Sequence, residues 1–164
     1  MVLIAAVDEE WGIGKDGKLL FSIPEDQKYF RDTTYGKMVV MGRKTLESLP
    51  GGKPLKGRGN IVLTSHDGSD LPEGLAVAHS SDELCSLISA YDPDDVFLIG
   101  GATLYREFLA DCSRALITKV QGAYGADASI DDLDKMEGWE LVKEGECKKY
   151  GPYRYRFCEY EHTS

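Results

Sequence analysis

The chain has no long apolar run: no stretch approaches the ~18 apolar residues of a membrane-spanning helix. It has no excess of base either, with 19 Lys and Arg against 28 Asp and Glu, a formal charge of −9. A nucleic-acid partner demands a basic face for its phosphates, and this balance argues against one. An anionic small ligand stays open, because a local cluster of cations can outvote the total. Cysteine is sparse: Cys85, Cys112, Cys147 and Cys158 lie 27, 35 and 11 residues apart. There is no CxxC and no Cys/His cluster, so no metal site and no disulfide framework is expected. Reduced, packing cysteines in a cytoplasmic protein are expected instead. The opening residues MVLIAAVDEE place acids after the apolar run and no base before it, the reverse of a secretory leader. No fixed-period repeat or low-complexity stretch marks an internal boundary. Residues 1–164 therefore read as one domain, long enough to bury roughly 70% of its unfolded surface.

What is present is an alternation. Strands are expected at Val2–Val7, Lys37–Met41, Asn60–Thr64, Leu75–Ala78, Asp95–Ile99 and Arg114–Val120. Helices are expected at Glu25–Thr34 behind Pro24, at Arg43–Ser48, from Ser80 to about Tyr91, and over Ala102–Ala110. Trp139–Cys147 and Tyr153–Tyr160 read as a closing hairpin turning at Lys149-Tyr150-Gly151-Pro152. The fold class is α/β: a doubly wound, mostly parallel sheet with about four helices and an antiparallel C-terminal edge. Ligands of such sheets bind beyond the carboxyl ends of the strands.

Three of those ends suit an anion. Met41-Gly42-Arg43-Lys44-Thr45 joins a close-approach glycine to two cations and a hydroxyl. Leu63-Thr64-Ser65 puts two hydroxyls past a strand, and Ile99-Gly100-Gly101-Ala102-Thr103 puts two glycines before a helix. A glycine at such a turn is most often only a turn, but three such ends on one side of one sheet suggest a ligand with several phosphates. The GxGxxG fingerprint is absent, which removes an ordinary dinucleotide fold. Gly12–Leu19 holds three glycines in six residues and reads as a surface loop placed to act as a lid. Asp26, in the first helical turn, shares a face with Tyr29 and Phe30. It is either a dipole-pairing acid or a partly buried carboxylate able to bind an amidine-like ring and help deliver a proton.

Taken together these residues resemble dihydrofolate reductase over nearly the whole chain. The resemblance rests on Ile4-Ala5-Ala6, Gly12-Ile13-Gly14, Pro24 and Asp26 with Phe30 and Thr34, Met41–Thr45 and Glu47-Ser48. It continues through Pro54-Leu55, Gly57-Arg58, Asn60–Leu63, Ile99-Gly100-Gly101 with Tyr105, Thr118 and Asp127. It implies an eight-stranded sheet of that family and a monomer that reduces 7,8-dihydrofolate with NADPH. The implied catalytic group is Asp26 on the pterin amine and N3, Thr118 behind it, and Phe21 as the adjoining aromatic wall. N5 is protonated through water, and hydride reaches C6. The implied substrate set is Ile4, Ala5, Gln27, Phe30, Ser48, Leu55, Arg58 and Ile99, with Arg58 on the α-carboxylate and the Ile4 and Ile99 carbonyls on the pterin amine. Antifolates would occupy the same place.

For NADPH the resemblance implies Ala6, Ile13, Gly14 and Leu19 around nicotinamide. Arg43, Thr64 and Ser65 fall at the 2′-phosphate. Gly42, Lys44, Thr45, Leu63, Gly100, Gly101, Ala102, Thr103, Leu104 and Tyr105 fall along the rest, and Gly100-Gly101 is expected to be cis. The family usually has Pro-Trp where this chain has Leu20-Phe21, so an indole N–H that ordinarily holds a water is missing. Thr103 stands where a cation often adds to the phosphate site. Two other readings share features: a reductase of a pyrimidine intermediate in riboflavin synthesis, which lacks the Asp26–Arg58 pairing, and a folate- or nucleotide-binding protein without turnover. The cations needed, Arg43, Lys44 and Arg58, fall within Lys37–Arg58, and much of the acidic excess follows residue 66. The acids are therefore expected to lie away from the ligands.

Overall fold

Strands buried on both faces need near-continuous apolar sequence, and the helices that cover them need one apolar stripe each. A computed structural model describes residues 1–163; Ser164, the end of the expected domain, lies outside the described residues. The strands are β1 (Val2–Val7), β2 (Gly12–Lys15), β3 (Lys18–Leu19), β4 (Met38–Gly42), β5 (Gly59–Leu63), β6 (Ala76–Ala78), β7 (Val96–Gly100), β8 (Arg114–Val120), β9 (Ala128–Ser129), β10 (Trp139–Glu144), β11 (Lys148–Tyr150) and β12 (Tyr153–His162). The helices are α1 (Pro24–Thr34), α2 (Arg43–Ser48), α3 (Ser81–Ile88) and α4 (Ala102–Phe108).

Eight strands lie side by side in the order β10-β12-β8-β1-β7-β4-β5-β6, and β11 continues the β10 edge along β12. From β8 to β6 every pairing is parallel, whereas β12 runs antiparallel to both its neighbours. The antiparallel strand is thus one position in from the edge, not the edge itself. Alternate residues of the central strands face opposite layers. Leu3, Val40, Ile61, Leu98 and Ile117 pack with Leu84 of α3 and Tyr105 and Phe108 of α4. Val2, Ile4, Val39, Met41, Val62 and Phe97 pack with Leu46 of α2 and Tyr29 and Phe30 of α1. Two helices therefore cover each face.

Local chemistry explains the boundaries. Pro24 starts α1 without a side-chain cap. The Ser80 hydroxyl accepts from the Glu83 amide to start α3, as its serine and early acids lead one to expect. α3 ends at Ile88 and α4 at Phe108, both short of expectation. The single long strand expected at Trp139–Cys147 ends at Glu144, with a register shift between Leu141 and Lys143.

The Gly12–Leu19 segment, expected as a loop, is a hairpin. Lys15 pairs with Lys18 across Asp16-Gly17, both at positive φ, which is the Asp-Gly signature of a two-residue turn. β9 pairs with the outer side of β2, and the Asp16 amide donates to Asp127 Oδ2 at 2.9 Å. Trp11 is buried beneath Lys119, whose ammonium lies 5.5 Å from the indole centroid. Because β7 sits between β1 and β4, it is the strand whose packing the whole sheet shares. Leu98, fully buried there, should cost about 3 kcal/mol of unfolding free energy when cut to Ala, read from the midpoint shift in urea denaturation.

Candidate active site

The site begins where the sheet opens. β1 pairs with β7 only as far as Leu3–Leu98, but with β8 as far as Val7–Lys119. Beyond Leu3 the two central strands part, and the register between β4 and β7 slips between Val40 and Met41. This parting at the carboxyl ends is the crevice in which doubly wound sheets bind ligands. The ends of β7, β4 and β5 are neighbours, so the three anion-friendly stretches do come together. Tyr105, expected at the cofactor, lies buried beneath them, and its hydroxyl donates to the Ile4 carbonyl at 2.8 Å. Ile99 and Ala5 are half-buried at the rim.

Asp26 stands on the first turn of α1, over β8. The buried Thr118 hydroxyl donates to Asp26 Oδ1 at 2.6 Å. Burial raises the Asp26 pKa above the usual carboxylate range, and the Thr118 bond partly offsets this by favouring the charged form. The native state therefore holds this proton more tightly than the unfolded chain does. Its contribution to stability is full below the ordinary carboxylate range and is lost as pH rises through the raised value.

Phe21 is buried and set edge-on to two rings, Tyr124 at 5.2 Å and Tyr153 at 5.6 Å between centroids. Half-buried Ala6 joins that cluster. Ile13 packs with the main core cluster, and Leu19 is 80% exposed. Gly14 takes part in β2, its carbonyl accepting from the Asp127 amide.

Along α1 the face that bears Asp26 continues to Phe30 and Thr34. The Thr34 hydroxyl donates to the Phe30 carbonyl at 2.8 Å and accepts from Arg58 Nη1 at 3.2 Å. Arg58 Nε donates to the Lys56 carbonyl, and Arg58 makes no ion pair among the described residues. Burial, with the Arg31 charge nearby, draws its pKa down against an opposing effect from Tyr35. Asn60, which sequence reasoning counted only as strand, holds this loop. Its side chain accepts from the Leu55 amide and donates to the carbonyls of Leu55 and Arg58. Gln27 is exposed and its amide donates to the Ser22 hydroxyl, and the Ser48 hydroxyl donates to the Thr45 carbonyl. Ser48 thus spends its only O–H locally, whereas Gln27 keeps one amide N–H and its carbonyl free.

The chemistry of the second half of the crevice fits a dinucleotide. A Cβ on Gly101 would lie 3.5 Å from Thr45 Oγ1, and one on Gly42 would lie 3.3 Å from Leu104 Cδ1. Two backbones and a hydroxyl therefore share a cradle that side chains would fill. Lys44 and Thr103 are exposed beside it, with half-buried Thr45 and Ala102. The Gly100–Gly101 peptide is cis, as expected. Leu63 is half-buried, Thr64 is buried with its hydroxyl accepting from the His66 amide, and Ser65 is exposed.

Arg43 departs from expectation. Its Nη1 and Nη2 both donate to the Asp70 carboxylate and its Nε donates to Glu47. An acid from beyond residue 66 therefore does reach the expected ligand contacts. Asp8 was also missed. It is buried, and its carboxylate accepts from the amides of Glu10, Gly12 and Tyr124, tying β1 to β2 and to the loop that carries Tyr124.

A sheet that parts over a half-buried carboxylate, beside a glycine-lined cradle at neighbouring strand ends, has the architecture of a doubly wound ligand-binding domain. The family model described as dihydrofolate reductase matches residues 1–162, and the chain belongs to that family. It is 36% identical over 160 residues to the dihydrofolate reductase of Bacillus subtilis (strain 168), covering 96% of this chain and 92% of that one. It is 38% identical over 142 residues to dihydrofolate reductase HdrB of Haloferax volcanii, covering 82% and 72%. The solved dihydrofolate reductase from Enterococcus faecalis, complexed with NADP(H) and RAB-propyl, superposes with a TM-score of 0.85 at 31% identity, over 99% of this chain and 96% of that one.

Replacing Thr118 with Val removes the bond that favours ionised Asp26. The carboxyl titration, followed by carbon NMR, should move to higher pH; an unmoved or lower value would separate Thr118 from Asp26 electrostatics. Asn60→Ala strands three backbone partners and should cost about 2 kcal/mol of stability by thermal or urea denaturation.

Proposed function

We propose that this chain, as one domain, reduces 7,8-dihydrofolate to 5,6,7,8-tetrahydrofolate with NADPH, supplying folate-dependent one-carbon metabolism. The observation that carries the reading is the spacing of two groups on α1. Asp26 and Thr34 are eight residues apart, or about 12 Å along a helix, and Thr34 holds Arg58. A carboxylate for an amidine-like ring and a cation for a carboxylate therefore stand at the two ends of one apolar wall that includes Phe30 and Leu55. A pterin joined through an aromatic ring to glutamate has those two groups at its ends. A pyrimidine intermediate of riboflavin synthesis has no carboxylate for Arg58, which disfavours that reductase. The raised, Thr118-held Asp26 argues for turnover over mere binding.

In this reading Asp26 accepts from the pterin amine and N3, and Thr118 keeps its carboxylate aimed at them. Burial makes Asp26 hold its proton more tightly than an ordinary carboxyl does, which supports protonation at N5 through water. Phe30 and Leu55 hold the substrate's rings, Arg58 pairs with its α-carboxylate, and the Ile4 and Ile99 carbonyls accept from its amine. Phe21 excludes water beside the reacting ring but donates no hydrogen bond to one. Nicotinamide, when bound, supplies the hydride for C6. Ala6, Ile13 and Leu19 border it, Lys44, Thr45 and Gly101–Thr103 hold the pyrophosphate, and Arg43, Thr64 and Ser65 face the 2′-phosphate. Antifolate inhibitors belong in the substrate half. In this reading the enzyme acts as a monomer. Four unpaired cysteines support a cytoplasmic location, and no described helix is long and apolar enough to cross a membrane.

Asp26→Asn should lower turnover at neutral pH at least about a hundredfold, followed as loss of nicotinamide absorbance with dihydrofolate, while NADPH affinity holds. Retention of most wild-type turnover would remove Asp26 from the mechanism. In the wild type the rate should fall as pH rises through the raised Asp26 value. Arg58→Leu should raise KM for dihydrofolate roughly tenfold or more, because a charged hydrogen bond is lost, with kcat much less affected.

A further inference from the structure

Arg43 is the cation that the proposed function sets against the cofactor's 2′-phosphate, and all three of its nitrogens are engaged by acids. Nη1 donates to Asp70 Oδ1 at 3.1 Å, Nη2 to Asp70 Oδ2, and Nε to Glu47 Oε1 at 3.2 Å. Glu47 is the helical neighbour four residues on. Asp70 comes from a different element, and its position is built. The Asp67 carboxylate accepts from the Ser69 amide to start a one-turn 3₁₀ segment, Gly68–Asp70. A Cβ on Gly68 would lie 3.1 Å from Val77 Cγ2, so this turn sits tightly on β6. Leu71, directly after Asp70, packs into the core layer beneath. Asp70 is thus pinned on both sides and presents a two-pronged carboxylate to Arg43, whose side chain is 26% exposed.

The charge sum decides the consequence. Arg43, Asp70 and Glu47 together carry −1 at neutral pH. A phosphate dianion meets its expected cation already neutralised by a partner of its own geometry, and the fork that would grip it is occupied. A ribose 2′-hydroxyl meets no such obstacle, since it can donate to a carboxylate, as ribose does to acids in other dinucleotide sites. We infer that Asp70 competes with the cofactor's 2′-phosphate for Arg43, and so sets how strongly this enzyme prefers phosphorylated over unphosphorylated nicotinamide dinucleotide. The inference rests on the placing of Arg43 at the 2′-phosphate.

The test is calorimetric binding of NADP⁺ and NAD⁺ to the full chain at fixed ionic strength, for wild type, Asp70→Asn and Arg43→Gln. Asp70→Asn removes one negative charge beside the phosphate and should tighten NADP⁺ about tenfold. NAD⁺ should bind no tighter than to wild type. The kcat/KM ratio of NADPH over NADH should rise in step. Arg43→Gln should weaken NADP⁺ and spare NAD⁺. If Arg43→Gln weakens NADP⁺ but Asp70→Asn leaves it unchanged or weaker, Asp70 aims Arg43 instead of opposing the phosphate. The inference then fails and the placing of Arg43 stands. If Arg43→Gln leaves NADP⁺ affinity unchanged, the placing itself fails and takes the inference with it.

Discussion

The Thr118 hydroxyl donating to Asp26 at 2.6 Å joins the acid on the apolar face of α1 to the strand beneath it. A carboxylate taken partly out of water needs a donor, and its proton becomes harder to remove. Everything around this bond serves that compromise. β8 alternates, so Thr118 faces α1 while Lys119 faces the far layer, where it meets Asp134, Tyr160 and Trp11. β1 keeps its pairing with β8 after it has left β7, which leaves the Ile4 carbonyl at the crevice, where it accepts from the Tyr105 hydroxyl. Shifting β8 by one residue would send Thr118 to the wrong side.

Helix α1 also sets distance. Its rise fixes how far Asp26 stands from Thr34, and Thr34 and Asn60 together fix Arg58. The two ends of the substrate half are thereby governed by one rigid element and one braced loop. The cofactor half is built differently, from three neighbouring strand ends whose glycines leave room for a ligand and whose short helices begin in cations and hydroxyls. That half depends on longer-range partners, as the meeting of Arg43 with Asp70 illustrates.

Much of this was legible along the chain. The alternation of apolar strands and capped helices gave the doubly wound sheet, and Asp26 stood out because i, i+3 and i+4 place it with Tyr29 and Phe30. The Asp16-Gly17 turn was also legible but was read as loop, because three glycines in that stretch suggested irregular backbone. The β10–β11 interruption had no such signal: the register shift arises from pairing with β12, which no local pattern records. Asn60 looked like strand because its role depends on bonds to Leu55 and Arg58 across a loop.

The sequence alone specifies the layers, the strand ends that suit phosphate and the acid that suits an amidine-like ring, because periodicity, glycine placement and charge are local properties. It left open which acid reaches which base. Total charge and the spread of acids past residue 66 suggested that the cations of Lys37–Arg58 stand free. The fold instead carries Asp70 across to Arg43 while Arg58 is left to hydroxyl and carbonyl partners. Electrostatic pairing falls off over a few ångströms in space, and residues 43 and 70 become neighbours only once β4, β5 and β6 are laid side by side.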